Sequence, residues 1–330
     1  MKLTAPLRGV EEVVPLIEAG ADELFCGVLE QDKRPGYFPN ARNYAASNLS
    51  SFSELEQTVA GARQSGVPVL FCANVAQGGV QTEWLKTDIL RACEAGVAGV
   101  IIADPALLSW AARQAQGRTI IASTITATLN SKALDFLARA GAGRVILERL
   151  LTLSEIEALA AHARAIGLDL EVIVNDQGCL HVNGLCHYHN WLPAKLDREG
   201  KPASRVMPCR TSLPIKVWTK TRGSYRQTGL QQDHALAALS SHICAACSLF
   251  RLRAAGVAYA KVVHRHFPLA QKVQTVSLIK EYLTLLEKGL VGPGEHISAG
   301  RRLFQRHHGR DCLRECCIHH EIYAQRGEDA

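Results

Sequence analysis

Short apolar runs recur through the first 174 residues, each followed by a stretch whose apolar positions return every three or four residues. The runs lie near Leu3–Ala5, Glu23–Val28, Val69–Asn74, Gly99–Ala103, Thr119–Ser123, Arg144–Leu147 and Leu170–Asn175, and an eighth, Ala258–Val263, comes much later. Near-continuous apolar runs of this length, rich in β-branched residues, predict strands of a parallel sheet covered on both faces. The intervening segments, such as VEEVVPLIEAG, SELEQTVAGARQSG, LKTDILRACEAG and SEIEALAAHARAIG, have the helical period. They end in glycine, as a helix C-cap favours. Ser51 with Glu54 and Thr152 with Glu155 have capping-box spacing at helix starts.

Eight strands, each leading into a helix, predict an α/β protein: a (β/α)8 TIM-barrel-like parallel barrel. A doubly wound open sheet is the alternative. The count of eight, and the lack of a GxGxxG after the first strand, favour the barrel. The seventh strand-to-helix connection runs to about 70 residues where two to six are usual, so it reads as an inserted functional segment. The expected organisation is 1–174 for the first seven βα units and 175–245 for a Cys/His-rich insertion at the C-terminal face. Residues 246–290 then supply the final strand and helices of the barrel, and 291–330 a basic, Cys/His-rich C-terminal segment.

Composition adds compartment and charge. The chain has 330 residues, 47% apolar and 21% charged, with no apolar run long enough to span a membrane. Its N-terminus lacks a signal-peptide pattern, so a cytoplasmic protein with reduced thiols is expected. The net charge of +6 is unevenly spread: residues 1–174 hold 15 Lys+Arg against 19 Asp+Glu, and residues 175–330 hold 22 against 12. The basic half is expected to meet an anion: a thiolate-ligated cluster, a phosphate or carboxylate substrate, or RNA. A merely solvated basic face is the bland alternative.

That basic half also concentrates soft ligands, with 8 of the 11 cysteines at or after Cys179 and 12 of the 13 histidines after His162. Cys179 and Cys186 flank Gly184, Cys209 precedes Arg210, and Cys244-Ala-Ala-Cys247 leads into a helical pattern starting around Ala246. Such a set points to a metal or iron–sulfur site. A structural zinc ordinarily uses two CxxC-like knuckles and only one is present, and a thioredoxin-type CxxC belongs in a different context. Cys26, Cys72 and Cys93, inside strand and helix patterns, read as small core residues. His181, His187 and His189 read as ligands, acid–base groups or plain loop residues. Cys312, Cys316 and Cys317, with His307, His308, His319 and His320, are weaker metal candidates.

Glu171, eight residues before Cys179-Leu-His-Val-Asn-Gly-Leu-Cys186, has the spacing of a motif in the collagenase-like peptidase family (family 32 of the unassigned-type peptidases). The chain resembles that family in AGADELFCG, Ala5-Pro6, the stretch ASTITATLNSKALDFLARAGAGRVILER, LTLSEI, Pro208-Cys209-Arg210 and AAGVAYAKVVHR. Asp176-Gln177-Gly178 departs from the family's Gly-Ser/Ala-apolar triplet. Val263-His264 replaces the Glu-Gly of its Lys-Ile-Glu-Gly-Arg element, although Lys261 and Arg265 remain. The resemblance implies a 4Fe–4S cluster held by Cys179, Cys186, Cys209 and either Cys244 or Cys247. It also implies oxygen-independent hydroxylation of a tRNA uridine, a ribosomal RNA cytidine or the ubiquinone ring.

The expected function is therefore an iron–sulfur enzyme of redox modification or hydroxylation, acting on an anionic or aromatic substrate, RNA or a small molecule. Lys261, His264, Arg265 and Glu148 are its candidate catalytic residues, with Asn74, Asp104 and Ser123 at or near strand ends that line the mouth or cap helices. A peptidase is the first alternative, although HExxH and GxSxG are both absent. A non-catalytic cluster-bearing subunit, paired with a related family member in a heteromer, is the second.

Overall fold

In the computed structural model, residues 1–30, 34, 37–42, 45–76, 78–176, 182–186, 215–221, 224–231, 243–312, 317–319 and 321–322 are described. The parallel strands are β1 (Lys2–Pro6), β2 (Glu23–Cys26), β3 (Val69–Ala73), β4 (Gly99–Ile102), β5 (Thr119–Ala122), β6 (Arg144–Ile146), β7 (Asp169–Asp176) and β11 (Tyr259–Val262). They pair in chain order from β1 to β7, and β11 closes the ring between β7 and β1. The result is a closed (β/α)8 barrel, as the apolar periodicity predicts. Between β7 and β11 come an antiparallel pair, β8 (Ile215–Thr221) with β9 (Ser224–Gln231), and a two-residue strand, β10 (Ile243–Cys244). β10 lies antiparallel on the overhanging end of β7, pairing Ile243 with Asp176 and Cys244 with Asn175.

Alternation along each strand sorts its residues between two cores. Val69, Phe71 and Ala73 of β3 face outward into the layer of helices, whereas Leu70 and Cys72 face the barrel axis. The axial set continues with Phe25, Ile101, Ile121, Ile146 and Ile173. The outer layer is built from α1 (Val13–Glu18), α2 (Phe52–Gln64), α3 (Val80–Glu94), α4 (Pro105–Gln114), α5 (Ser131–Arg139), α6 (Leu153–Ala165), α7 (Leu249–Ala254), α8 (Leu269–Glu287) and α9 (His296–His308).

Local signals act as expected at most helix ends. Thr152 and Glu155 form a complete capping box on α6. At α2, Ser51 accepts the Glu54 amide at 3.2 Å, but the Glu54 carboxylate takes the Ser50 amide at 2.7 Å, so only half the box closes. Gly20, Gly66, Gly96, Gly141, Gly167 and Gly256 follow helices with positive φ, where a side chain would be strained. Among the described residues no helix is long and apolar enough to cross a membrane.

Candidate functional site at the barrel mouth

Polar residues at inward-facing strand positions build the floor of the site. Thr4, Glu23, Arg144, Glu171 and Lys261 occupy such positions, and none is more than 5% exposed. Arg144 donates to both carboxylate oxygens of Glu23, at 2.7 and 3.0 Å, and to Glu171 at 3.3 Å. Lys261 donates to the other Glu171 oxygen at 2.9 Å. Burial alone would depress the Arg144 pKa, but the Glu23 hydrogen bonds and the Glu171 and Glu23 charges hold it above its ordinary value. The guanidinium also lies 3.3 Å from the centroid of the Tyr259 ring, and the Lys261 ammonium 3.8 Å from that of Phe25. Two acids and two bases thus form a fixed, internally balanced network under the mouth.

Above it a cavity of about 100 Å³ opens at the C-terminal ends of the strands, where barrels place their active sites. Its wall holds Arg42, Arg149, Lys261 and Arg265, together with Asn74, Ser123, His264 and Asn183. Among the described residues the lining carries four cationic side chains and no carboxylate, while Glu171 pairs with Lys261 and Glu148 with Arg149 from just behind it. Arg265 donates to Asn40 Oδ1 at 2.8 Å and Asn48 Oδ1 at 3.2 Å. Gly27 makes that possible: a side chain there would run into the Arg265 guanidinium and both asparagines. Behind it, Lys272 pairs with Glu12 and donates to the Arg265 carbonyl at 3.1 Å. His264 has a left-handed backbone (φ 72°), and its ring stacks on Phe267 at 4.6 Å.

Glu148 stands one layer back. Its carboxylate accepts the Asn183 amide at 3.0 Å and the Arg149 amide at 3.1 Å. Asn183 in turn donates to Thr124 Oγ1 at 3.3 Å. Glu148 therefore anchors the short turn Asn183–Leu185 across the mouth. Gly184 presses against the Ile125 carbonyl and Ala127, and a methyl group there would collide with both. Cys186 follows this turn and is buried.

The other sequence candidates separate. Asn74 and Ser123 line the cavity and hydrogen-bond each other at 3.3 Å. Asp104 is a helix cap, accepting the Leu107 amide at 2.8 Å at the start of α4, and does not reach the mouth. Cys72, read as core, is both an axial core residue and part of the cavity wall, where burial pushes its thiol pKa up. Cys179, Cys209 and Cys316, with His181, His187, His189 and His320, lie outside the described residues. Cys244, Cys247, Cys312 and Cys317 lie in or against the outer core, away from the axis. Among the described residues no three His, Cys, Asp or Glu side chains are already arranged to hold a metal ion. Arg42, Arg149, Asn40 and Asn48 escape the sequence reading, because nothing local in their segments marks them as facing one cavity.

A closed parallel barrel whose C-terminal mouth is lined by Arg42, Arg149, Lys261 and Arg265, and a second half rich in cysteine, define the class. The sequence profile described as peptidase family U32 matches residues 8–305, and the chain belongs to that family. It is 25% identical over 199 residues to the tRNA hydroxylation protein P1 of Bacillus subtilis (strain 168), spanning 60% of this chain and 44% of that protein. It is 26% identical over 212 residues to an uncharacterized protease of Methanocaldococcus jannaschii, spanning 64% of this chain and 48% of the relative. The match thus spans less than half the length of these curated relatives. Among solved structures, a U32 peptidase aligns with a TM-score of 0.47 at 13% identity, covering 80% of this chain and 93% of that one.

Proposed function

We propose that this chain is an iron–sulfur-dependent enzyme that hydroxylates, without molecular oxygen, a base of an RNA presented at the barrel mouth. The observation that carries the reading is the cavity lined by Arg42, Arg149, Lys261 and Arg265 with no described carboxylate among its walls. Such a mouth favours a phosphate-bearing substrate over a neutral peptide bond. The likeness to a tRNA hydroxylation protein supports the same choice. A cluster, when bound, supplies one-electron chemistry. The thiols required for it stay reduced in a cytoplasmic setting, where we place the reaction.

The chain's own residues bind and orient. Lys261 is a fixed cation on the floor, immobilised by Glu171. Arg265, locked by Asn40 and Asn48, presents a second. Asn74 and Ser123 offer neutral hydrogen-bonding groups suited to a base edge, and the His264 ring can hold or release a proton at a ring nitrogen beside them. The peptidase reading gains little from the site. A serine–histidine contact does occur, Ser248 Oγ with His319 Nδ1 at 2.8 Å, but both residues are buried in the outer wall.

The test is nucleoside mass spectrometry of RNA from cells with and without this chain. A nucleoside bearing one added oxygen should disappear without the chain and return with the wild type. It should not return with the Lys261→Met/Glu171→Gln double variant, which removes the floor cation and its partner together. An unchanged nucleoside profile, with peptides cleaved by the purified protein, would return the assignment to a hydrolase.

A further inference from the structure

The helix α9 has one apolar face seated on the barrel and an opposite face that is basic. Ala299, Gly300, Leu303 and Phe304 are buried. Gly300 lies so near Cys247 that a methyl group there would be 2.5 Å from its sulfur. Residues 296–310 hold four arginines and three histidines and no acid. Of these, Arg302, Arg306 and Arg310 are exposed. Arg302 and Arg306 stand one turn apart, about 6 Å along the axis. Arg310 follows the C-cap Gly309, whose φ of 66° turns the chain, and its guanidinium stays 5.6 Å from the Phe304 ring. The helix runs back along α8 toward the mouth. The Tyr282 hydroxyl donates to the His296 carbonyl at 2.7 Å, and Gln274 donates to the His307 carbonyl. Gln274 lies near the start of α8, two positions beyond the Lys272 that holds the Arg265 carbonyl. The arginine-rich end of α9 thus lies at the end of α8 nearest the mouth.

Local structure accounts for only part of this charge. Arg306, His307 and His308 occupy the last turn, where cations suit the helix dipole. Glu281 pairs with Arg306 and with His307, the latter at 3.0 Å. Arg302 lies outside that turn and has no ion-pair partner among the described residues. Like charges one turn apart also destabilise a helix. An anion on the outward face would relieve that cost, and guanidinium groups match phosphate oxygens two N–H bonds at a time. A membrane surface fits less well, because a helix lying on lipid needs its apolar face, and α9 has already buried that face in the barrel.

We propose that the outward face of α9, Arg302 and Arg306 with Arg310, binds the sugar–phosphate backbone of an RNA whose target base enters the mouth. The assignment rests on the RNA reading of the mouth and adds a grip on the strand outside the cavity. Backbone contacts of this kind fix the position of a strand and read no base. The face therefore contributes affinity and leaves the choice of nucleotide to the mouth.

The experiment is fluorescence anisotropy of a labelled single-stranded RNA with the full chain across a salt series, comparing wild type with Arg302→Gln/Arg306→Gln/Arg310→Gln. Each phosphate contact contributes about 0.7 to the slope of log affinity against log salt, so the triple variant should flatten that slope by about 2. Its affinity at about 50 mM salt should fall by about tenfold or more. The matching triple lysine variant keeps the charges and should keep the slope; circular dichroism establishes that each variant is folded. Wild-type slope and affinity in the glutamine variant would overturn the surface. Loss of binding to phosphatidylglycerol vesicles in that variant, with RNA affinity unmoved, would overturn its occupant. The Lys261→Met/Glu171→Gln variant should lose the oxidised nucleoside and keep the salt slope, so the reading of the mouth and the reading of α9 fail separately.

Discussion

The floor network makes a quantitative test of how charge is held inside this barrel. Lys261 and Glu171 are 2.9 Å apart with side chains 6% and 0% exposed, which corresponds to about 6 kcal/mol of attraction at an effective dielectric near 20. Most of that offsets the cost of taking two ions out of water, so the pair as a whole adds little stability. Breaking it is different. Lys261→Met leaves the Glu171 carboxylate to share Arg144 with Glu23, and should cost about 3–5 kcal/mol. Glu171→Gln strands the ammonium and should cost a similar amount. In the double variant the remaining Arg144–Glu23 pair is neutral and keeps its bonds at 2.7 and 3.0 Å. The double should therefore be more stable than the sum of the singles by about 2–3 kcal/mol. Urea unfolding of the four proteins measures this directly. Additivity within about 0.5 kcal/mol, or a Lys261→Met variant as stable as wild type, would show that the four charges do not act as one unit.

Three further outcomes follow from the local geometry. The Glu155 carboxyl lies below the usual range, chiefly because the Thr152 amide donates to it, with the Thr152 hydroxyl adding to the effect. A lowered folded pKa gives stability that is complete above the unfolded value and fades as pH falls through the folded one. Glu155→Gln should therefore cost about 0.3–1 kcal/mol at neutral pH, with the difference closing in acid melts. Asp104→Ala should cost about 1 kcal/mol as a lost helix cap and leave the nucleoside product unchanged; a folded but inactive variant would return Asp104 to the mouth. Gly184→Ala should lift the Asn183–Leu185 turn at a cost of about 1–3 kcal/mol. Faster hydrogen exchange of the Asn183 amide, with the barrel strands still protected, is the expected signature.

The barrel was legible because its strands are apolar on both faces and its helices carry their own punctuation; Thr152, Glu155 and the glycines after the helices act as their positions foretell. Lys261 and Arg265 were legible through the family resemblance, His264 through its place at the end of the eighth strand, and all three line the mouth. The floor left a fainter trace in Glu23, Arg144, Glu171 and Lys261, four charges set at inward positions of otherwise apolar strands. Their pairing is a matter of barrel closure: Glu23 and Arg144 are 121 positions apart in the chain. The clamp of Arg265 by Asn40 and Asn48 joins segments more than 200 positions apart, and nothing in either segment's period announces it. Glu148 is a strand-end acid whose bond to the Asn183 amide, 35 positions on, nothing in its own segment announces.

The antiparallel return of β10 along β7 also sets how freely this protein can change. Asp176 and Ile243 are register partners, so the two ends of the segment between them meet at the end of β7. A chain excursion closed at its base costs only about 0.6 kcal/mol more for each doubling of its length. A change in the length of the segment beyond the Asn183–Leu185 turn should therefore have little effect on the register of the eight parallel strands. The strands that carry Glu171 and Lys261, with Arg265 just beyond, therefore hold their register whatever the length of chain between Asp176 and Ile243.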